Sequence, residues 1–149
     1  MRKTENILSI IGIAFLLLNI LFIFPGVNSL LILIFTILSL IYSFLGFALF
    51  NEIQFRKLFK KESYNNVSSL RILVAVAAGI SLSITIIGIL FKIMFWPGYY
   101  INMLFGIVCL TLIIIVILVN KFNRQSEFGN KILNRSIVFG GIAICLTFI

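Results

Sequence analysis

The chain has 149 residues, of which 62% are hydrophobic and 11% are charged. Soluble domains carry about 25% charged residues, so this composition excludes an ordinary soluble domain. The formal net charge of +8 does not indicate a nucleic-acid-binding protein, because the Lys and Arg residues flank long apolar runs and form no single basic patch.

The first two apolar runs cover residues 7–24 and 29–50, and Pro25 and Gly26 lie between them. About 20 apolar residues in a helix cross the hydrocarbon core of a membrane, and in lipid only a helix satisfies its own backbone within one segment. Residues 1–50 are therefore predicted to form a first transmembrane hairpin. A cleaved signal peptide is the alternative, but the first run exceeds the usual length of about 7–15 apolar residues.

A basic segment, residues 51–71, separates this hairpin from the next apolar run and is predicted to be a cytoplasmic loop. Within it, residues 54–61 read Q-F-R-K-L-F-K-K and place apolar side chains at helical spacing among Arg and Lys. That spacing is compatible with a short amphipathic helix on an anionic membrane surface. A solvated loop is the simpler interpretation.

A second transmembrane hairpin is predicted over residues 72–119, with its turn at Pro97 and Gly98. Proline presets φ for a turn and glycine accepts a positive φ. Aligning Pro25 with Pro97 brings the two aromatic-Pro-Gly corners into register. The chain is therefore interpreted as two tandem hairpins in parallel orientation.

A second basic loop is predicted over residues 120–135, followed by a partial or short fifth membrane helix over residues 136–149. At about 1.5 Å per residue, a helix of that length falls short of the membrane thickness. The predicted fold class is all-α: a polytopic membrane protein with two transmembrane hairpins and a short C-terminal hydrophobic helix.

The distribution of basic residues predicts the orientation. Apart from Lys92, every Lys and Arg precedes the first apolar run or lies in the loops 51–71 and 120–135. Short cytoplasmic loops are enriched in Lys and Arg. We therefore expect a multi-pass protein of the bacterial inner membrane with a cytoplasmic N-terminus and both Pro-Gly corners outside.

The residues singled out as a motif or interface are Lys92, Trp96, Pro97 and Gly98, with Pro25 and Gly26 at the first corner. An ionisable residue within a span is a functional candidate by default. Lys92, however, lies one helical turn from the corner, where its side chain can reach the headgroup region. An ion- or proton-linked role, or pairing with a partner subunit, are the alternatives. Trp96 is expected to be an interfacial anchor.

Catalysis and metal binding are not expected. The chain has no His and no Asp, and its four Glu residues lie outside the predicted spans. No acid–base or nucleophile–base arrangement follows from these residues. Cys109 and Cys145 lie in apolar runs without metal-ligand spacing. We therefore predict no catalytic, cofactor-binding or metal-binding residue and no cofactor.

The run G-I-L-F-K-I-M-F-W-P-G, residues 88–98, resembles the N-terminal membrane hairpin of the gliding-motility protein L (GldL) family. That family supplies an inner-membrane subunit of the proton-driven motor for gliding and type IX secretion. The resemblance covers residues 71–120 and rests on Gly88, Leu90, Phe91, Lys92, Ile93, Trp96, Pro97 and Gly98. Phe95 replaces the family's histidine, and Leu110 stands where the family carries its motor glutamate. The resemblance implies the hairpin architecture without the motor activity.

These features together predict a non-enzymatic integral membrane protein with a structural or assembly role. The expected partners are the lipid bilayer and either further copies of the chain or other membrane proteins, with no nucleic acid. A small transporter or channel subunit is the alternative, as is a subunit related to the gliding and secretion motor.

Overall fold

The apolar runs form helices throughout the part of the chain that the computed structural model describes, which is residues 2–21, 25–53, 67–120 and 127–148. There are five helices in those ranges: α1 (Arg2–Leu21), α2 (Pro25–Phe50), α3 (Ser69–Ile93), α4 (Tyr99–Val119) and α5 (Glu127–Phe148). Each is long and apolar enough to cross a membrane. The predicted all-α fold with membrane-length helices is confirmed.

The fifth helix is longer than predicted, because it begins at Glu127 and has 22 residues. At about 1.5 Å per residue it is about 33 Å long, which is enough to cross a membrane. The residues interpreted as loop form its first turns, where Phe128 and Ile132 are buried against the bundle. Their charged neighbours Lys131 and Arg135 pair with carboxylates from distant parts of the chain, Glu52 and Glu5. The local sequence around residues 127–135 does not indicate these pairs.

One end of each described helix lies at the same end of the bundle, which is called here the basic end. Arg135 of α5 pairs with Glu5 of α1, and Lys131 of α5 pairs with Glu52, which follows α2. The Arg71 guanidinium at the start of α3 lies 4.7 Å from the centre of the Phe128 ring. The basic end is therefore the end where α1, α3 and α5 begin and where α2 and α4 finish. The opposite end holds the turn from α3 to α4.

Helix α3 is the centre of the bundle, since it contacts α2, α4 and α5. It approaches α2 through glycine: a Cβ on Gly46 would lie 2.9 Å from the Cα of Gly79, and a Cβ on Gly79 would meet the Tyr42 carbonyl oxygen. On its other side, a Cβ on Gly106 of α4 would overlap Thr85. Small residues at these crossings allow the close helix contact that drives packing in lipid.

Some predicted features lie outside the described residues. They are the amphipathic segment 54–61, most of the loop 51–71, and residues 121–126 of the second loop.

The glycine crossing of α2 and α3 yields a test of the fold. Gly79→Ala is expected to lower the free energy of unfolding by about 1–3 kcal/mol, because the new methyl group meets backbone atoms that cannot move aside. Gly141→Ala is the matched control, since a Cβ there has no atom within 4 Å and alanine favours a helix. Denaturant titration of the purified protein in mild detergent measures both variants. Equal stabilities would contradict the crossing.

Candidate functional site

The α3–α4 corner, residues 91–99, has a defined capping geometry. The Trp96 N–H donates to the Phe91 carbonyl at 2.8 Å, and the Phe95 N–H donates to the Lys92 carbonyl at 3.2 Å. This is the Schellman pattern, in which the residue after the helix takes the left-handed conformation. Phe95 holds that position with a φ of 55°, although glycine is the usual residue there.

The predicted turn at Pro97 and Gly98 is also left-handed at its glycine. Gly98 has φ 86° and ψ 0°, and α4 begins at the next residue. The Asn102 N–H then donates to the Gly98 carbonyl at 3.2 Å. The corner therefore has two left-handed residues, of which the sequence indicated only the glycine.

Lys92 lies in the last turn of α3 and is half-buried. Its Nζ lies 4.9 Å from the centre of the Tyr99 ring, a cation–π contact. The Trp96 ring packs edge-on against Phe91 with 5.3 Å between the ring centres. Lys92 therefore contacts the first residue of α4, whereas Trp96 packs back on the last turns of α3.

The first corner differs from the second. Pro25 is the first residue of α2, with Gly26 after it in the helix, whereas Pro97 and Gly98 precede α4. Proline suits the first helical position, because its missing N–H has no helical partner there. A side-chain hydrogen bond from Asn19 to Asn28 joins α1 and α2 at this end of the bundle.

A second polar site lies at the basic end and is called here the Glu5 cluster: Glu5, Asn6, Ser9, Tyr42 and Arg135. Glu5 is 2% exposed. The Arg135 Nε donates to Glu5 Oε1 at 2.8 Å, and an Arg135 Nη donates to Oε2 at 2.8 Å. The Ser9 and Tyr42 hydroxyls donate to Oε1, and the same guanidinium contacts the Asn6 side chain. Charge-assisted bidentate pairs of this kind are the stronger hydrogen bonds in proteins.

Helix geometry explains how α1 contributes to this cluster. Glu5, Ser9, Gly12 and Leu16 are all buried, and their spacing of three or four residues places them on one helix face. That face packs on α2, where Tyr42 has no exposed surface. The Tyr42 ring stacks on Phe50, with 6.1 Å between the ring centres. The carboxylate therefore lies at the end of an otherwise apolar contact.

The prediction that all four Glu residues lie outside the spans is wrong for Glu5, and also for Glu127, the first residue of α5. The first helix begins at Arg2, and its apolar stretch, Lys3–Ile20, contains Glu5. The predicted span began at residue 7, because a carboxylate is costly in lipid without a partner. Its partner is 130 positions away, beyond the reach of local pattern. The feature of the local sequence that could have indicated the burial of Glu5 is its four-residue spacing from Ser9, which places both side chains on one helix face.

A second polar contact lies near the middle of the bundle. The Ser39 hydroxyl of α2 and the Ser83 hydroxyl of α3 are 2.7 Å apart, and both residues are buried. Thr85, two residues further along α3, faces Gly106 of α4 and donates to the Ser81 carbonyl of its own helix at 2.8 Å. Hydroxyl pairs of this type join neighbouring helices in lipid.

The described part of the chain is an α-helical bundle whose five helices are each long and apolar enough to cross a membrane, with an ion pair between α1 and α5. Comparisons with protein-family models, with curated proteins and with solved structures found no match for this chain. Within the described ranges, no group of three His, Cys, Asp or Glu side chains is arranged to hold a metal ion.

The Glu5 cluster predicts a large effect of Arg135→Gln. The variant leaves a buried carboxylate without its cation, so we expect the free energy of unfolding to fall by about 3–5 kcal/mol. Lys131→Gln is the matched control on the same helix: its partners Glu52 and Glu127 have side chains 56% and 71% exposed, and such pairs contribute about 1 kcal/mol or less. Denaturant titration in a neutral detergent compares the two. A loss for Arg135→Gln no larger than that for Lys131→Gln would contradict the assignment.

The corner predicts a gain in stability from Phe95→Gly. The side chain is 92% exposed, so the substitution removes little packing while relieving a left-handed backbone that costs a non-glycine residue about 1–2 kcal/mol. Part of this gain is offset by the greater freedom of glycine in the unfolded chain, and a net increase of about 1 kcal/mol is expected in the same titration. Phe95→Ala removes the same ring and keeps the Cβ. A similar gain from alanine would show that the ring and not the backbone is responsible.

Proposed function

We propose that this chain is a non-enzymatic, multi-span structural or assembly protein of the bacterial inner membrane. The observation that carries the proposal is the pairing of Glu5 with Arg135, which joins the first helix to the last. A charged pair held between helices stabilises one arrangement of the bundle against others. The Ser39–Ser83 contact and the glycine crossing of α2 and α3 act in the same direction.

The proposed orientation places the basic end in the cytoplasm. All Lys and Arg residues except Lys92 occur in the first turns of α1, α3 and α5, which begin at this end, or in the connections between helix ends that meet there. Positive charge of this kind remains on the cytoplasmic side during insertion. The α3–α4 corner then faces outwards, with Lys92 and Trp96 at the opposite interface.

The proposed partners are further copies of the chain or other membrane proteins. Helix α4 presents a continuous apolar face away from the bundle; large exposed side chains on it include Ile101, Leu104, Phe105, Val108, Leu112 and Ile115. Lipid chains cover an apolar face as well as another helix does. Association in the membrane therefore depends on how closely the helix surfaces pack. The GldL-like hairpin, which consists of α3 and α4, is proposed to provide this exposed face.

A working motor subunit is disfavoured by the surroundings of Leu110. Its side chain is 2% exposed and lies on the α5 side of α4, where a Cβ on Gly140 would be 3.7 Å from it. The position that carries a glutamate in the resembling family is thus part of an apolar helix contact. An ion-coupled transporter remains the second candidate function, because Glu5 is a buried carboxylate beside the Tyr42 hydroxyl within an apolar helix.

Reconstitution separates the two functions. The purified chain is placed in liposomes carrying a pH gradient and a pH-sensitive dye, and its stoichiometry is measured in mild detergent. The structural proposal expects a discrete oligomer or a defined membrane partner, and dissipation of the gradient at the rate of empty liposomes.

The control is the paired variant Glu5→Gln with Arg135→Gln, which keeps the cluster neutral and hydrogen-bonded. A gradient that collapses with the original chain and persists with the paired variant would overturn the structural proposal in favour of ion-coupled transport.

A further inference from the structure

Among the large apolar side chains of the described residues, that of Phe95 is the most exposed, at 92%. Phe95 follows α3 and holds a left-handed backbone, with a φ of 55°. A bulky residue rarely adopts a positive φ, whereas glycine takes this conformation without strain. Because the ring contacts so little of the described chain, contacts inside the protein do not offset this strain.

The exposed ring is part of an apolar surface at the α3–α4 corner, which is called here the corner patch and consists of Phe95, Trp96, Tyr100 and Ile101. All four side chains are exposed. Leu104 and Phe105, one turn further along α4, are also exposed. The corner patch therefore lies at the end of the apolar face that α4 turns away from the bundle.

The ends of α3 and α4 fix the position of the corner patch relative to a membrane. Helix α3 ends at Ile93 and α4 begins at Tyr99, and each helix is long and apolar enough to cross a bilayer. The corner between two such helices lies where the hydrocarbon meets the headgroups. Trp and Tyr side chains are enriched at this level, and a lysine such as Lys92 reaches the headgroups from it.

The charge distribution favours lipid over a water-soluble protein as the partner of the corner patch. Between Ile72 and Val119, Lys92 is the only charged residue, and its ammonium lies over the Tyr99 ring. Interfaces between proteins in water have a polar rim around their apolar core. The corner patch lacks a charged rim of this kind, and lipid chains do not require one.

We propose that the corner patch anchors the α3–α4 corner in the membrane, with the Phe95 ring immersed where acyl chains meet headgroups. Removal of the ring from water is favourable and compensates the left-handed backbone at this position. The inference rests on the membrane placement of the chain. It applies to either orientation, because both leaflets contain this boundary.

Tryptophan fluorescence tests the immersion directly, because Trp96 is the single tryptophan of the chain. The double variant Phe95→Trp with Trp96→Phe moves the reporter to position 95 and keeps an aromatic ring at position 96. The full chain is reconstituted in phosphatidylcholine liposomes in which part of the lipid carries bromine on the acyl chains near the headgroup. Bromine quenches a tryptophan that contacts these chains, and acrylamide quenches one that faces water.

We expect brominated lipid to quench the reporter at position 95 at least as strongly as Trp96 of the original chain. Acrylamide is expected to quench it at least about twofold less than a free tryptophan derivative in the same buffer, because lipid excludes water from the ring. The double variant Phe105→Trp with Trp96→Phe is the lipid-facing reference, since Phe105 is exposed on α4. It should respond to brominated lipid and not to acrylamide.

A second set of variants tests whether the ring anchors the corner. Phe95→Ser is expected to lower the quenching of Trp96 by brominated lipid about twofold, and Phe95→Leu, which keeps an apolar side chain, is expected to retain it. Phe148→Ser is the matched control, because it removes an exposed ring from the end of a different helix, α5. Equal quenching of Trp96 in Phe95→Ser and Phe148→Ser would overturn the anchoring role.

Two results at position 95 would overturn the immersion. Quenching by acrylamide to the level of the free derivative would show that the ring faces water, and quenching by neither agent would show that protein covers it. Resistance to carbonate extraction is measured on the same liposomes. An extracted chain would overturn the membrane placement together with this inference, whereas an inserted chain with a water-accessible reporter would overturn this inference alone.

Discussion

The arrangement of the bundle in which α1 and α5 are held together depends on the ion pair between Glu5 and Arg135. Only 22% of the apolar stretch of α1 is buried, against 61% of that of α3, so α1 has little packing of its own to hold it. Removing both charged groups from water is costly, and a buried pair adds little net stability. Its effect is instead selective: any arrangement that separates α1 from α5 leaves an unpaired charge among apolar helices.

The contrast between what the sequence predicts and what it misses follows from the range of the interactions involved. The first four helices and the α3–α4 corner were predictable, because each depends on an apolar run or on a Pro-Gly pair within a few residues. The start of α5 and the burial of Glu5 were not predictable, since both depend on pairing across the whole chain. The left-handed Phe95 falls between these cases: its position is set by capping of α3, which overrides its side-chain preference.

The two ends of the bundle use their basic residues in different ways. At the corner end, Lys92 lies over the Tyr99 ring, so its ammonium faces the negative face of an aromatic ring. At the basic end, Lys131 and Arg135 meet carboxylates from other parts of the chain. The first arrangement is local to a single turn, whereas the second connects helices that are far apart in sequence.

A cavity of about 390 Å³ at the basic end belongs to the same structural unit as the ion pair. Arg135 both lines the cavity and pairs with Glu5. The cavity therefore exists in this form only while α1 and α5 are joined, because its walls are those two helices and α2. By linkage, any ligand that binds only the arrangement in which α1 and α5 are paired must favour that arrangement.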